Sequence, residues 1–245
     1  MGNLKAVILA GGLGTRLRPF TETIPKPLLP VGEKAVLEIQ IERLAKHGVT
    51  DVFLATNYRS HYIESFFGDG SRYGVNLCVS KEEKPLGTAG PLTLLKSSLT
   101  EPFIVMNGDI LSLIDFRDIL AHAQRTGSIL TVAIRKEITP FAFGNIFFDG
   151  DFVTDIEEKP NIELYILAGI YVMTPAILDF LPEDQYYGMD TLIKDLLARR
   201  IPVAKYDLKE YWLDIGRLSD YEQAQEVYKT YFSDEGKIKT EGVRP

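Results

Sequence analysis

The 245-residue chain reads as an α/β fold, with a mixed, mainly parallel sheet flanked by helices and a small β-rich extension. Three observations predict it. Strand-like and helix-like apolar patterns alternate from Lys5 to Arg125. From Ile129 to Met173 the pattern changes to one strand after another. The content is 45% hydrophobic, which at this length fills one large core or two small ones. Strands separated by helices imply a parallel sheet covered on both faces.

The elements follow in order. Lys5 to Ala10 is an apolar run of strand length. Leu37, Ile41 and Leu44 share one helical face, and that helix stops near Gly48. Val52 to Thr56 is the second strand. Tyr62, Ile63, Phe66 and Phe67 form a helical stripe ending at Gly68. Val75 to Val79 is the third strand, Ala89 to Ser97 a helix, Phe103 to Asn107 the fourth strand and Phe116 to Arg125 a further helix. In the second half, Ile129 to Arg135, Asn145 to Asp149, Phe152 to Glu157 and Ile166 to Met173 are strand-like, with Asp149-Gly150-Asp151 as a hairpin turn. Helices follow at Pro175 to Leu181 and Met189 to Arg199. After Tyr211 to Ile215, a last helix carries Tyr221, Ala224, Tyr228 and Tyr231 on one side. Without a linker or a repeat, residues 1–232 read as one domain with halves at about 1–125 and 126–232, and 233–245 as a polar, fraying tail.

The first strand runs into Leu9-Ala10-Gly11-Gly12-Leu13-Gly14-Thr15-Arg16-Leu17. Three glycines in four positions remove the side chains that would keep a ligand off the backbone, and their N–H groups can form an anion-binding concavity. Arg16 adds a permanently charged fork suited to phosphate oxygens. Pro25-Lys26-Pro27 presents one ammonium on a stiff segment. Together these suggest a polyphosphate site, against the plainer alternative of a tight turn. The spacing is neither a dinucleotide fingerprint, because no third glycine follows Gly14, nor a P-loop, because Gly14-Thr15-Arg16 lacks the lysine.

Two aspartates stand at the ends of apolar stretches beside glycines: Asp109 after Asn107-Gly108, and Asp214 before Ile215-Gly216. Ligands of parallel sheets sit beyond the carboxyl ends of strands, so the glycine loop and Asn107-Gly108-Asp109 share a crevice on this reading. Magnesium is held by one or two carboxylates together with phosphate oxygens and water, so the pair suits one ion. Each aspartate suits a turn or helix cap equally well. Glu157 and Lys159 fall on one face of a strand end, fit to meet hydroxyls and a phosphate or simply to be a solvated edge. In Glu82-Glu83-Lys84-Pro85-Leu86-Gly87-Thr88-Ala89-Gly90, Glu82 can accept from a base and Gly87 lets that base approach, or Thr88 caps a helix entry.

The net charge of −7, without a basic stripe, argues against a nucleic-acid partner. Arg199-Arg200 sits where a helix end favours cations. No apolar run is long enough to span a bilayer, and no signal peptide is evident. Cys78, the single cysteine, reads as inert strand packing. These features fit a cytoplasmic location. His47, His61 and His122 fall on helices as surface or packing residues.

Four segments in order resemble the sugar-1-phosphate nucleotidyltransferases. They are Leu9 to Leu17 with Pro25-Lys26-Pro27; Asn107-Gly108-Asp109; Glu157-Glu158-Lys159-Pro160 with Ala168-Gly169-Ile170-Tyr171; and Trp212-Leu213-Asp214-Ile215-Gly216. The likeness runs from Lys5 to about Tyr228 and implies a Rossmann-like fold whose β-rich extension binds sugar. It further implies a nucleoside triphosphate and a sugar 1-phosphate as partners, Mg²⁺ as cofactor, and a nucleotide-sugar plus pyrophosphate as products. On this likeness Leu9, Gly11, Gly12, Gly14 and Thr15 line the nucleotide site, and Arg16 holds the triphosphate. Lys26 stands by the α-phosphate, and Asp109 and Asp214 hold the metal. Glu82, Gly87 and Thr88 face the base. Gly144, Glu157, Lys159 and Gly169 bind the sugar phosphate.

Glu82 to Gly90 is similar to the corresponding stretch of mannose-1-phosphate and heptose-phosphate guanylyltransferases, which favours GTP. The alternatives are a cytidylyl-, uridylyl- or thymidylyltransferase, or a non-catalytic nucleotide-sugar-binding module. Leu167 and Asn145 depart from the common pattern near the expected sugar pocket. Self-association is compatible with the aromatics of the last helix.

Overall fold

The computed structural model describes residues 3–12, 14–57 and 60–233. Its strands are β1 (Leu4–Leu9), β2 (Pro30–Val31), β3 (Lys34–Ala35), β4 (Val49–Thr56), β5 (Asn76–Lys81), β6 (Phe103–Asn107), β7 (Ile110–Ser112), β8 (Leu130–Pro140), β9 (Asn145–Asp149), β10 (Phe152–Glu157), β11 (Asn161–Met173), β12 (Ala204–Asp207) and β13 (Trp212–Asp214). Its α-helices are α1 (Phe20–Thr23), α2 (Val36–Lys46), α3 (Ser60–Phe67), α4 (Phe116–Thr126), α5 (Met189–Ala198) and α6 (Leu218–Val227). No helix among the described residues is long and apolar enough to cross a membrane.

Seven strands form one sheet in the order β12-β8-β11-β6-β1-β4-β5. β1 is central and parallel to both β4 and β6. β5 continues the parallel half, and β12 is parallel to β8. β11 runs antiparallel between β6 and β8, which makes the sheet mixed.

Both faces are covered, so apolar residues follow one another along the inner strands instead of alternating with polar ones. On β1, Ala6 and Ile8 meet α2, α3 and α4 through Leu37, Ile41, Ile63 and Phe116. Val7 points the other way, into a cluster with Phe103, Leu92, Ile177 and Leu192. A third cluster joins Leu17, Leu29 and Val31 to Leu111, Leu213, Ile215, Ala224 and Tyr228. It packs the segment that carries Lys26 against β7, β13 and α6.

Several expectations are corrected. Ala89–Ser97 and Pro175–Leu181 do not form α-helices. They form short 3₁₀ turns at Gly90–Leu95 and Pro175–Phe180, each with a proline in its first turn. Strands β2, β3, β7 and β12 were not anticipated; all have four residues or fewer, too short for a period to register. Cys78 is exposed on edge strand β5, not packed inside. Tyr221, Tyr228 and Tyr231 turn inward to the third cluster. The tail expected at 233–245 lies, past Ser233, outside the described residues.

Candidate functional site

A cleft of about 300 Å³ opens at the carboxyl ends of β1, β4 and β6. Leu9, Gly11, Gly12, Glu82, Gly87, Thr88 and Asp109 all line it. A Cβ on Gly12 would meet nothing within 4 Å, so this backbone faces open space. Gly11 is needed for a different reason: its Cβ would lie 2.9 Å from Oε1 of Glu82. Gly14 takes a positive φ of 60° and accepts a hydrogen bond from the Thr21 hydroxyl at 2.8 Å. Thr15 and Arg16 then open a 3₁₀ turn, anchored by buried Leu17, with Arg16 exposed.

The strand end carrying Asp109 is fastened to this loop. Gly108 N–H donates to the Leu9 carbonyl at 2.9 Å, and a Cβ on Gly108 would strike that same oxygen. The Lys26 ammonium donates to Asp109 Oδ2. Asp109 Oδ1 is buried and has no hydrogen-bond partner.

Asp214 reaches the same place through β13, which pairs antiparallel with β7 and sets Asp214 opposite Ile110. The Ile215 N–H donates to the Asp109 carbonyl at 3.0 Å. Desolvation raises the Asp214 carboxyl above its ordinary range, the Asp109 charge raises it further, and Lys26 offsets part of this. A Cβ on Gly216 would lie 3.7 Å from an Arg16 guanidinium nitrogen and 3.8 Å from Asp214 Oδ1, so Arg16 faces the same pair. A carboxylate oxygen left without a partner, beside a second carboxylate held above its normal range, is a donor set that fits a divalent cation.

Glu82 is buried and accepts the Leu86 N–H at 2.9 Å, while desolvation raises its carboxyl. Gly87 has φ 82°, and its Cβ would meet the Tyr187 carbonyl at 2.6 Å. Its glycine therefore answers to backbone packing as well as to the cleft. The Thr88 hydroxyl accepts the Met189 N–H at 2.8 Å, so it caps the start of α5 and not the turn that follows it in sequence.

The four residues assigned to a sugar phosphate separate into two places. Gly169, at φ 65°, lies against Asn107, which lines the cleft. Gly144, Glu157 and Lys159 stand on an exposed arm and do not line the cleft. Lys159 has φ 49° and faces Glu158 at 4.0 Å.

Other residues complete the site. The buried Gln40 amide on α2 donates to the carbonyls of Asn107 at 2.9 Å and Ile110 at 2.7 Å, bracing the turn that presents Asp109. The Trp212 indole donates to the Ala168 carbonyl at 2.8 Å and ties β13 to β11. Asn57 and the exposed Tyr186 line the cleft. Polar residues on a helix and in a loop gave no sequence signal for these roles. Trp212 alone stood within a motif already singled out.

The family model described as nucleotidyl transferase matches residues 5–230. A mannose-1-phosphate guanyltransferase of Debaryomyces hansenii is 36% identical over 240 residues, covering 94% of this chain and 66% of that protein. The chain spans 62–66% of the length of the curated relatives it matches. Crystalline HddC from Yersinia pseudotuberculosis, complexed with GMP-PN, is 29% identical with a TM-score of 0.72, covering 92% of this chain and all of that one. A solved Bacillus anthracis protein, 24% identical with a TM-score of 0.77, shares the fold over 96% of this chain and 99% of its own.

Proposed function

The chain belongs to the nucleotidyl transferase family, and on that footing we propose that it transfers a nucleotidyl group from a nucleoside triphosphate, GTP favoured, to a sugar 1-phosphate of mannose or heptose type. The observation that carries the reading is the meeting of Lys26, Asp109, Asp214 and Arg16 beside the bare backbone of Gly11 and Gly12. The preference for GTP draws on the mannose-1-phosphate guanyltransferase relative and on the GMP-PN complex of HddC.

The chemistry is the approach of two polyanions. A phosphate oxygen of the sugar phosphate attacks the α-phosphorus in line, and the bond to the bridging oxygen breaks, so that pyrophosphate leaves. The nucleophile is already anionic near neutral pH, so no strong general base is required. Positioning and fixed positive charge carry the rate. In this proposal the Gly11 to Gly14 backbone and Arg16 grip the triphosphate. Lys26 faces the charge that grows on the bridging oxygen. Glu82, Gly87 and Thr88 face the base. Asp109 and Asp214 would hold Mg²⁺, which supplies charge neutralisation at the α-phosphate. Gly169, with Gly144, Glu157 and Lys159 brought from the arm, would receive the sugar phosphate.

The test is pyrophosphate release from a panel of triphosphates and sugar 1-phosphates, with and without Mg²⁺. GTP with mannose 1-phosphate or a heptose phosphate is expected to turn over, and only with the metal. A panel in which nothing turns over would overturn the reading. Calorimetric binding without turnover would favour a nucleotide-sugar-binding module.

A further inference from the structure

Past Arg135 on β8 and before Leu167 on β11, the two strands pair only with each other. They lead into the β9–β10 hairpin, which pairs with no other strand. Every residue of β9 and of β10 is exposed. Consecutive strand residues point to opposite faces, and Phe147 and Phe148 are 44% and 73% exposed, so both faces of the hairpin present aromatic surface. An antiparallel sheet ordinarily hides one apolar face, and a lone two-stranded hairpin is marginal in water.

The patch is large. Phe143, Phe148, Phe152 and Tyr165 are 63–78% exposed. At about 200 Å² per ring, they leave on the order of 550 Å² open. Val153 and Ile156, at 67% and 59%, bring it to roughly 800 Å² on the same proportional basis. Monomers rarely show a contiguous apolar patch above about 600 Å². One partner in a standard interface contributes about 800 Å².

We propose that this arm is the interface of a two-fold dimer, and that its occupant is the same arm of a second copy. The match between its open area and one half of a stable interface supports that occupant. So does the hairpin's own geometry. Its outer edges offer unpaired backbone groups, and an antiparallel ribbon related to itself by a two-fold axis meets edge to edge and face to face. Asn145 to Phe148 and Phe152 to Thr154 contain no charged residue. Asp149 and Asp151 lie at the tip and Glu157, Glu158 and Lys159 at the base, which gives an apolar centre with a polar rim. Asp155 is the one carboxylate inside it. Carboxylates outnumber cations along the arm, which disfavours an anionic lipid surface as the occupant.

Sedimentation of the full chain across a concentration series tests this, beside the Phe148→Asp/Phe152→Asp double variant. The wild type is expected to sediment at twice the chain mass. The variant is expected as a monomer with an unchanged far-ultraviolet circular dichroism spectrum and a dissociation constant raised about 100-fold or more. Hydrogen exchange on the wild type decides independently if the variant fails to fold. Protection of amides 145–157 that grows with protein concentration supports the proposal. A wild-type monomer throughout, a dimer that survives both substitutions, or hairpin protection that is absent or independent of concentration would overturn it.

Discussion

Lys26 and Asp109, 83 residues apart, form an ion pair that uses one oxygen of the carboxylate and leaves the other buried without a partner. The lysine therefore steadies Asp109 in the direction that faces Asp214. Lys26→Met removes a charge that the proposed reaction uses and an offset to the repulsion between the two aspartates. Turnover should fall about 100-fold or more at saturating GTP and mannose 1-phosphate. Lys26→Arg should recover only part of it, because a planar fork does not replace a point charge. Steady-state pyrophosphate release reads both.

Gln40 carries out its bracing from inside the protein. Gln40→Leu would leave the Asn107 and Ile110 carbonyls without their side-chain donor, at a cost of about 2–3 kcal/mol. The turn bearing Asp109 should loosen with it, so kcat should fall more than the KM for either substrate changes. Denaturant unfolding and steady-state kinetics on the same sample separate the two effects.

Gly169→Ala places a methyl where the backbone has φ 65°, 2.5 Å from Ile110 Cδ1 and 2.6 Å from Asn107 Nδ2. Strain and overpacking together should cost about 2–4 kcal/mol. A shift in the urea midpoint at unchanged slope is the expected signature.

Glu82 gives a pH dependence with a definite sign. Burial raises its carboxyl in the folded state above the ordinary glutamate value. The native state thus binds more protons than the unfolded chain just above that value. The stabilising contribution is full below the unfolded pKa and is lost as pH rises through the folded one. Glu82→Gln removes the titration while keeping an acceptor for the Leu86 N–H. The stability of the wild type relative to the variant should therefore decline as pH rises from about 4 towards 7. Melting temperatures of both proteins over that range measure it.

The sequence shows the glycine loop, Asp109 and Asp214 because each sits where an apolar strand stops beside glycine, a local pattern. It shows the parallel core because strands buried on both faces leave continuous apolar runs. Gln40 reads as one more polar residue on an amphipathic helix, and only the fold shows that it points inward. Asn57 and Tyr186 join the cleft from distant loops by the same tertiary placement. Glu157 and Lys159 are visible as a charged strand end, yet nothing local says that the end stands on an arm outside the cleft. Two expected helices became 3₁₀ turns at prolines, where the donor that an α-helix needs is missing.

Trp212 is the chain's single tryptophan, two residues before Asp214 and bonded to the strand beside Gly169. Its indole also faces the Arg135 guanidinium at 5.8 Å, near where the arm leaves the sheet. The protein thus carries a built-in optical reporter at the junction of its phosphate-gripping end and its projecting ribbon. Its emission can be followed during titration without attaching any label.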